Sequence, residues 1–314
     1  MKTISAADLE KHLDYPSVIQ CLEDAFRGNY TVPPRHHHDY PNPSIGVDST
    51  LLLMPAWEAE GFLGVKLITV SPENSQFQLP SIQGLYFLFD VLQGTPLAQL
   101  EAKTLTGIRT AAASALASRY LSRADSSSLL MIGTGAMAPR LITAHCSVRP
   151  IKRVWIWGRS HEKASRLSQE LALPNVQIEA ITDLQAFAQQ ADIISAATLS
   201  ASPLLKGVWL RPGQHIDLVG SFKPNMREAD DDVILKASLF ADVKDMATKE
   251  SGDFAIPLKE GLLQMTDIQA DLFDLCNKRM SGRSDDKQIT LFKSVGHALE
   301  DLAAAKLAYI RMTE

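Results

Sequence analysis

The chain has 314 residues, 46% of them hydrophobic and 21% charged, with a formal net charge of −5. This length allows two domains and a substantial core, and the composition is typical of a globular protein. The mild acidity argues against nucleic acid or an anionic membrane as a partner. The N-terminal residues do not resemble a signal peptide, no apolar run is long enough to span a bilayer, and the cysteines are widely spaced, so we expect a cytoplasmic protein.

The first part of the chain predicts a small α+β unit. An apolar rhythm predicts a helix over 5–28, and the Pro-, His- and Asn-rich residues 30–48 are expected to form a loop. Apolar runs bounded by proline and glycine predict a mainly antiparallel sheet from strands at 50–55, 61–70 and 83–92. An alanine-rich stretch predicts a helix over 106–122.

From residue 129 onward the pattern changes to alternating strands and helices. This alternation predicts an α/β fold with a doubly wound parallel sheet. Its strands are predicted at 129–133, 153–157, 176–181, 192–196, 215–219, 238–242 and 289–294. A final amphipathic helix over 297–312 has no obvious place in that sheet, so we expect it to pack on the first domain or against a partner subunit.

A glycine motif joins the first of these strands to a helix. The motif has the form GxGxxA and consists of Gly133, Thr134, Gly135, Ala136, Met137 and Ala138. In a βαβ unit such a turn brings the N–H groups that open the helix onto the pyrophosphate of a dinucleotide. A second apolar run follows about twenty residues later, as the unit requires. An ordinary turn between a strand and a helix is the alternative.

The end of the second strand indicates which dinucleotide is preferred. NAD-specific enzymes usually place Asp or Glu there to bind the ribose 2′-hydroxyl. This chain has Gly158, Arg159 and Ser160 instead, and no carboxylate occurs before Glu162. Arginine and serine are suitable donors to a 2′-phosphate, so we expect NADPH to be preferred and NADH to remain possible. The alternative is that Arg159 is a solvated loop residue.

Four stretches of the chain resemble the ornithine cyclodeaminase/mu-crystallin family. They lie at 64–69, 106–117, 133–138 and 293–302, and the second of them, Thr-Gly-Ile-Arg-Thr-Ala-Ala-Ala-Ser-Ala-Leu-Ala, is the most specific. The resemblance implies a homodimer with a Rossmann NAD(P)-binding domain, here residues 119–295. It also implies a dimerisation and substrate domain, here residues 1–118 with 296–314.

Three basic residues are expected to bind the substrate. Lys66 interrupts an otherwise apolar strand, which is costly unless the charge is paired or used. The resemblance implies that Lys66 contacts a substrate carboxylate or donates a proton; an edge-strand lysine facing solvent is the alternative. Arg109 is expected at the start of a helix, where it and the helix amides would clamp a carboxylate. The resemblance assigns the carboxylate to Arg109 and to the loop residue Arg35 as well.

The remaining expectations concern the cofactor and metals. Besides residues 133–137 and 158–160, the predicted cofactor-binding set contains Arg109, Thr110, Thr198, Val219, Ser221 and Gly296. The histidine run 36–38 is expected to be a solvated cluster, because consecutive residues of regular structure cannot all face one ion and no partner has ligand spacing. No metal is therefore expected.

Phe222 bears on the reaction. In ornithine cyclodeaminases a catalytic Asp follows the corresponding glycine by two residues, and this chain has Phe222 there, after Gly220. Phenylalanine cannot accept a proton or bind an ammonium group, so the resemblance favours the ketimine reductase branch, which reduces Δ1-pyrroline-2-carboxylate, and we expect Δ1-piperideine-2-carboxylate as well. Alternatives are an ornithine cyclodeaminase or alanine dehydrogenase-like enzyme, and a non-catalytic binding protein like mu-crystallin. Either Lys66 or a water would supply the proton.

Overall fold

The computed structural model describes residues 1–313, which divide into two compact units. The first unit comprises residues 1–109 and 297–313, and the second comprises Thr110–Gly296. In chain order the helices are α1 (Ala6–His12), α2 (Tyr15–Arg27), α3 (Ala102–Leu121), α4 (Ala138–Val148), α5 (His161–Glu170), α6 (Leu184–Ala188), α7 (Asp231–Lys236), α8 (Lys244–Glu250), α9 (Gly252–Lys259), α10 (Leu272–Cys276) and α11 (Ala298–Arg311). The strands are β1 (Lys2–Ile4), β2 (Tyr30–Thr31), β3 (His36–Tyr40), β4 (Ser49–Glu58), β5 (Phe62–Val70), β6 (Ile82–Asp90), β7 (Pro96–Glu101), β8 (Ser128–Ile132), β9 (Arg153–Trp157), β10 (Gln177–Ala180), β11 (Ile193–Ala196), β12 (His215–Leu218), β13 (Ser238–Ala241), β14 (Ile268–Asp271) and β15 (Thr290–Lys293).

The first unit is built on a sheet with the order β1-β7-β6-β5-β4-β2, and β3 also pairs with β4. All of its pairings are antiparallel except that of β1 with β7, so the predicted mainly antiparallel sheet is confirmed. Helix α11 packs against α2 and against the central strand β5. None of the helices within residues 1–313 is long and apolar enough to cross a membrane.

Two predictions for the N-terminal residues are wrong in detail. The helix expected over 5–28 is two helices, because Pro16 has no N–H to donate and is best placed in the first turn of a helix, where the Asp14 side chain caps α2 by accepting from the Ser17 amide at 3.0 Å. The loop expected over 30–48 contains β2 and β3. Pairing with β4 satisfies the backbone of β3 whatever its side chains are, so the polar composition of this segment misled the prediction.

The expectation that Arg109 opens a helix is also wrong. Helix α3 begins at Ala102, where the Glu101 carboxylate accepts from the amides of Lys103 and Thr104 at 3.0 and 2.7 Å. Arg109 is therefore in the helix interior, and its neighbouring amides are committed to the helix. Any anion bound there must rely on the guanidinium itself.

The second unit is built on an eight-stranded parallel sheet with the order β10-β9-β8-β11-β12-β15-β13-β14. All seven strands predicted from the sequence are present, and β14 is an eighth that was not predicted. Strands β8, β11, β12 and β15 are fully buried, as expected for a parallel sheet covered on both faces. The strand order reverses beside β8, whose neighbours are β9 and β11, and in such sheets ligands bind at the carboxyl ends of these strands.

Candidate active site

Lys66 is a buried cation in the middle of the first unit's sheet. It lies on β5 between β4 and β6, and only 3% of its surface is exposed, so an edge-strand lysine facing solvent is excluded. Its Nζ atom lies 2.6 Å from Oδ2 of Asp301, on the first turn of α11. A buried charge is tolerated when it is paired in this way.

Arg109 joins the same cluster from α3. Its Nε donates to Oδ1 of Asp301 at 2.8 Å, and its Nη1 donates to Oε2 of Glu300 at 2.7 Å. The four charged side chains are all almost completely buried. Sequence reasoning missed the two acids, although their stretch carried the family resemblance. Adjacent carboxylates at the buried beginning of an apolar helix were a usable signal.

The pKa of Lys66 reflects this crowding. Burial lowers the pKa to about 8, an effect that Asp301 opposes and that the positive charges of Arg109 and Arg35 reinforce. The influence of Arg35 means that all three predicted carboxylate-binding cations share one electrostatic environment within the first unit. A lysine with this pKa is a cation at neutral pH and also gives up its proton readily.

Tyr86 is a further member of this cluster that the sequence did not indicate. It lies directly opposite Lys66 on β6, is fully buried, and its hydroxyl has no hydrogen-bond partner within residues 1–313. Gly64 makes room for it, since a Cβ atom there would lie 1.8 Å from the hydroxyl. Burial, reinforced by Asp301, raises the pKa of Tyr86, so the hydroxyl remains protonated and able to donate.

The glycine motif of the second unit forms a tight turn after β8. Gly133 has a φ of 122°, and a Cβ atom there would lie only 2.6 Å from the Ala197 carbonyl oxygen. A Cβ atom at Gly135 would meet nothing within 4 Å, so this side of the turn is open to a ligand. No side chain caps the N-terminus of α4. These features fit a pyrophosphate bound by backbone amides, and the residues present therefore fit a dinucleotide.

A cavity of about 510 Å³ opens above this turn. Its size is typical of a small-molecule site. The predicted residues that line it are Gly133, Thr134, Gly135, Gly158, Arg159, Ser160 and Thr198. Sequence reasoning missed further lining residues, namely Trp157, Lys163, Ala197, Leu199, Ser200 and Leu204. Trp157 is the last residue of β9, Lys163 follows β9, and the other four follow β11; both strands are neighbours of β8.

The part of the cavity next to β9 is basic. Arg159 and Lys163 both line it, and the described residues include no acidic side chain in its lining. The Ser160 hydroxyl accepts from the Lys163 amide at 3.3 Å and so caps α5, which leaves its own proton free to donate. Lys163 could have been found from the sequence, because it lies in the first turn of the helix that follows Arg159.

The other predicted cofactor-binding residues do not line this cavity and remain predictions; they are Arg109, Thr110, Ala136, Met137, Val219, Ser221 and Gly296. The Ser221 hydroxyl is engaged inside the protein, where it donates to the Met226 carbonyl at 2.6 Å. The Gly296 amide donates to an oxygen of Asp242 at 2.6 Å. Phe222, at the position that carries the catalytic Asp in ornithine cyclodeaminases, is 41% exposed.

Two other features of the molecule, the histidine run and a second cavity, were considered as functional sites. The histidine run lies on the exposed strand β3, and residues 1–313 contain no group of three or more potential ligands arranged to hold a metal ion. A larger cavity, of about 750 Å³, lies beside α2 and α11, but Lys66 and Arg109 do not line it. Two of its charged lining residues, Glu58 and Lys306, pair with each other at 2.8 Å. We therefore treat the buried cations of the first unit and the cavity at the Gly133 turn of the second unit as the two candidate sites.

Comparison with known proteins shows to which family the chain is related. The Δ1-pyrroline-2-carboxylate reductase of Colwellia psychrerythraea is 36% identical over 308 residues, which cover 97% of each chain. The structure of the Thermococcus litoralis Δ1-pyrroline-2-carboxylate reductase with NADH and L-proline superimposes with a TM-score of 0.92 at 34% identity, covering 100% of this chain and 98% of that one. An archaeal alanine dehydrogenase dimer with bound NAD has a TM-score of 0.90 at 26% identity, covering 100% and 96%. Residues 2–314 match the profile of the ornithine cyclodeaminase/mu-crystallin family, and the chain belongs to that family.

Proposed function

We propose that this protein is an oxidoreductase that reduces the C=N bond of Δ1-pyrroline-2-carboxylate to give L-proline with NAD(P)H. The buried cluster of Lys66 and Arg109, with Arg35 in the same electrostatic environment, carries the proposal. Fixed cations of this kind suit a small planar carboxylate. The similarity to reductases of this imine supports the choice of substrate. We include the six-membered analogue Δ1-piperideine-2-carboxylate, reduced to L-pipecolate, because recognition through the carboxylate does not depend on ring size.

The cations have two tasks in this reaction. The guanidinium of Arg109 and the ammonium of Lys66 bind and orient the substrate carboxylate, which fixes the imine carbon for attack. When bound, NAD(P)H supplies a hydride to that carbon. The imine nitrogen must gain a proton, and Lys66 can donate it directly because burial lowers its pKa to about 8. A water is the other source of this proton.

The absence of a carboxylate at Phe222 supports imine reduction over cyclodeamination. A cyclodeaminase must bind and deprotonate the distal amine of ornithine or lysine, and phenylalanine does neither. A cyclic imine has no such amine. The proposed reaction therefore needs no carboxylate at this position, and an apolar side chain is compatible with it.

We further propose that NADPH is preferred over NADH. Arg159 and Lys163 line the cavity at the end of β9, the position at which NAD-specific sites place an acid, and Ser160 adds a hydroxyl donor. Two cations and a hydroxyl suit a 2′-phosphate better than a neutral ribose. The neighbours with known structures contain NADH or NAD, so use of NADH is expected as well.

A homodimer in the cytoplasm completes the proposal. The archaeal relative with bound NAD is a dimer. The sequence has only three cysteines, which are widely spaced, as expected in a reducing compartment. Light scattering of the purified protein at several concentrations tests the dimer.

The proposal is tested by adding the cyclic imine, generated from D-proline with an amino-acid oxidase, to the purified protein and reduced nucleotide. Nucleotide oxidation with formation of L-proline is the expected result. Oxidation only with pyruvate and ammonia would indicate an alanine dehydrogenase, and ammonia release from ornithine would indicate a cyclodeaminase. Nucleotide binding without turnover of any of these substrates would indicate a binding protein.

A further inference from the structure

The segment 198–205 forms one wall of the cavity at the Gly133 turn. Four of its residues line the cavity, namely Thr198, Leu199, Ser200 and Leu204. The segment follows β11 and contains no helix or strand, so its own backbone cannot hold it in place. Contacts from elsewhere in the second unit must therefore fix its shape.

Most of those contacts come from a single residue, Glu228. One carboxylate oxygen, Oε1, accepts from the Thr198 amide at 2.7 Å and from the Thr198 hydroxyl at 2.9 Å. The other oxygen, Oε2, accepts from the amides of Gly220 and Ser221 at 2.7 and 3.3 Å. The carboxylate thus accepts four hydrogen bonds and donates none, and it joins the segment after β11 to the segment after β12.

The backbone of Glu228 fixes the far end of the same wall. Its carbonyl oxygen accepts from the amides of Leu204 and Leu205, each at 2.9 Å. The preceding residue contributes the Arg227 amide, which donates to the Ser200 carbonyl at 3.0 Å. Both ends and the middle of segment 198–205 are therefore attached to residues 227 and 228.

Glu228 is itself held rigidly. It is fully buried, its amide donates to Oδ1 of Asp253 at 2.8 Å, and Lys293 lies close enough to compensate its charge. The fit is tight, since a Cβ atom at Gly220 would lie 2.1 Å from the Thr198 carbonyl oxygen and 2.6 Å from Oε1 of Glu228. Because the packing around Glu228 leaves no spare space, a change in its carboxylate must displace segment 198–205.

From these contacts we infer that Glu228 is a positioning residue for the nucleotide, which sets the cavity wall through its ionised carboxylate without touching the ligand. The inference rests on the proposed function, because it requires a nucleotide in that cavity. All four donors need an acceptor, and a protonated carboxyl would put a hydrogen where one of them must approach. Glu228 should therefore influence nucleotide affinity more than it influences recognition of the acid.

The inference predicts a pH dependence. Desolvation raises the pKa of Glu228, as does the nearby Asp253, while Lys293 and the hydrogen bonds from Thr198 oppose the rise. A raised pKa brings protonation closer to neutral pH, so nucleotide binding should weaken as the pH falls. The expected signature is a loss of affinity on acidification that depends on this one side chain.

The test compares Glu228→Gln with Asp192→Asn by titrating each protein with NADH and with NADPH and following nicotinamide fluorescence. Asp192 is a matched control, since its carboxylate also accepts from backbone amides, those of Ser127 and Ser128, but precedes β11 at the opposite end of the strand. We expect E228Q to raise the Kd for nucleotide at least tenfold, and its affinity should no longer fall on acidification as that of wild type does. The Kd of D192N should stay within twofold of the wild-type value, although its loss of thermal stability is comparable.

Each outcome decides the question. An E228Q protein that binds both nucleotides like wild type overturns the inference, and so does an equal loss in D192N, because the effect would then be one of general stability. If E228Q does not fold, Thr198→Val removes a single donor and should weaken binding threefold or more; unchanged binding overturns the inference. A wild-type protein that binds neither nucleotide refutes the proposed function itself.

Discussion

Replacing Lys66 by methionine separates the catalytic use of its charge from its structural use. Met has a similar length but no charge, so Asp301 would lose the ammonium 2.6 Å away while remaining fully buried. Removing one member of a buried ion pair costs about 3–5 kcal/mol of unfolding free energy. Loss of a hydrogen bond to a charged group costs about 1.5–3 kcal/mol, or about 10- to 150-fold in kcat/KM for the cyclic imine.

The double variant Lys66→Met/Asp301→Asn tests which of these effects is observed. It removes both charges of the pair, and an amide oxygen can still accept from Arg109, so most of the lost stability should return. Imine reduction should not recover, because no ammonium is available to hold the carboxylate or donate a proton. Urea denaturation measures how much stability returns, and steady-state kinetics measures the rate of imine reduction.

The pH profile gives an independent measurement on the wild-type protein. Burial lowers the pKa of Lys66 to about 8, so the ammonium is present below that pH and is lost above it. The kcat/KM of imine reduction should therefore fall above about pH 8 in wild type, and this decline should be absent from the residual activity of K66M. Full recovery of activity in the double variant would refute the reasoning, because Lys66 would then serve only to neutralise Asp301.

Three further predictions concern the second unit. Arg159→Ala and Lys163→Ala should each raise the KM for NADPH far more than that for NADH, and equal effects on both would mean that no 2′-phosphate binds there. Gly133→Ala should weaken NADH binding at least tenfold, because a Cβ atom would lie 2.6 Å from the Ala197 carbonyl oxygen; unchanged affinity in a fluorescence titration would remove the turn from the site. Burial tends to raise the pKa of Asp217, but hydrogen bonds from a buried histidine and a serine hold this pKa below its ordinary value of 3.8. Asp217→Asn should therefore lower the free energy of unfolding at pH 7 by about 1–3 kcal/mol. The loss should become smaller as the pH falls below 3.8, because the wild-type carboxylate is then protonated as well. Urea denaturation at neutral and acid pH checks the last of these, and a constant difference would contradict it.

The parallel sheet could be predicted in detail because its signal is local. Each buried strand is a short apolar run between polar helices, and all seven runs identified in the sequence form strands. The eighth, β14, has the sequence Ile-Gln-Ala-Asp, which carries too little apolar character to be recognised. Similarly, β3 is a strand because β4 offers it a pairing edge, which its own exposed residues do not indicate.

The sequence alone determined the family, the glycine turn after β8 and the identity of the buried lysine, since each depends on residues that are adjacent in the chain or unusual where they stand. Only the tertiary structure decided which acids accompany Lys66, because Asp301 lies more than two hundred residues away and reaches it through the packing of α11 on β5. It also decided that Arg109 lies inside a helix, where Glu101 caps a start seven residues earlier, and that Glu228 holds both ends of a cavity wall. Ion pairs and hydrogen bonds between distant segments leave no periodic trace in a sequence, because they depend on where the folded backbone brings two side chains together.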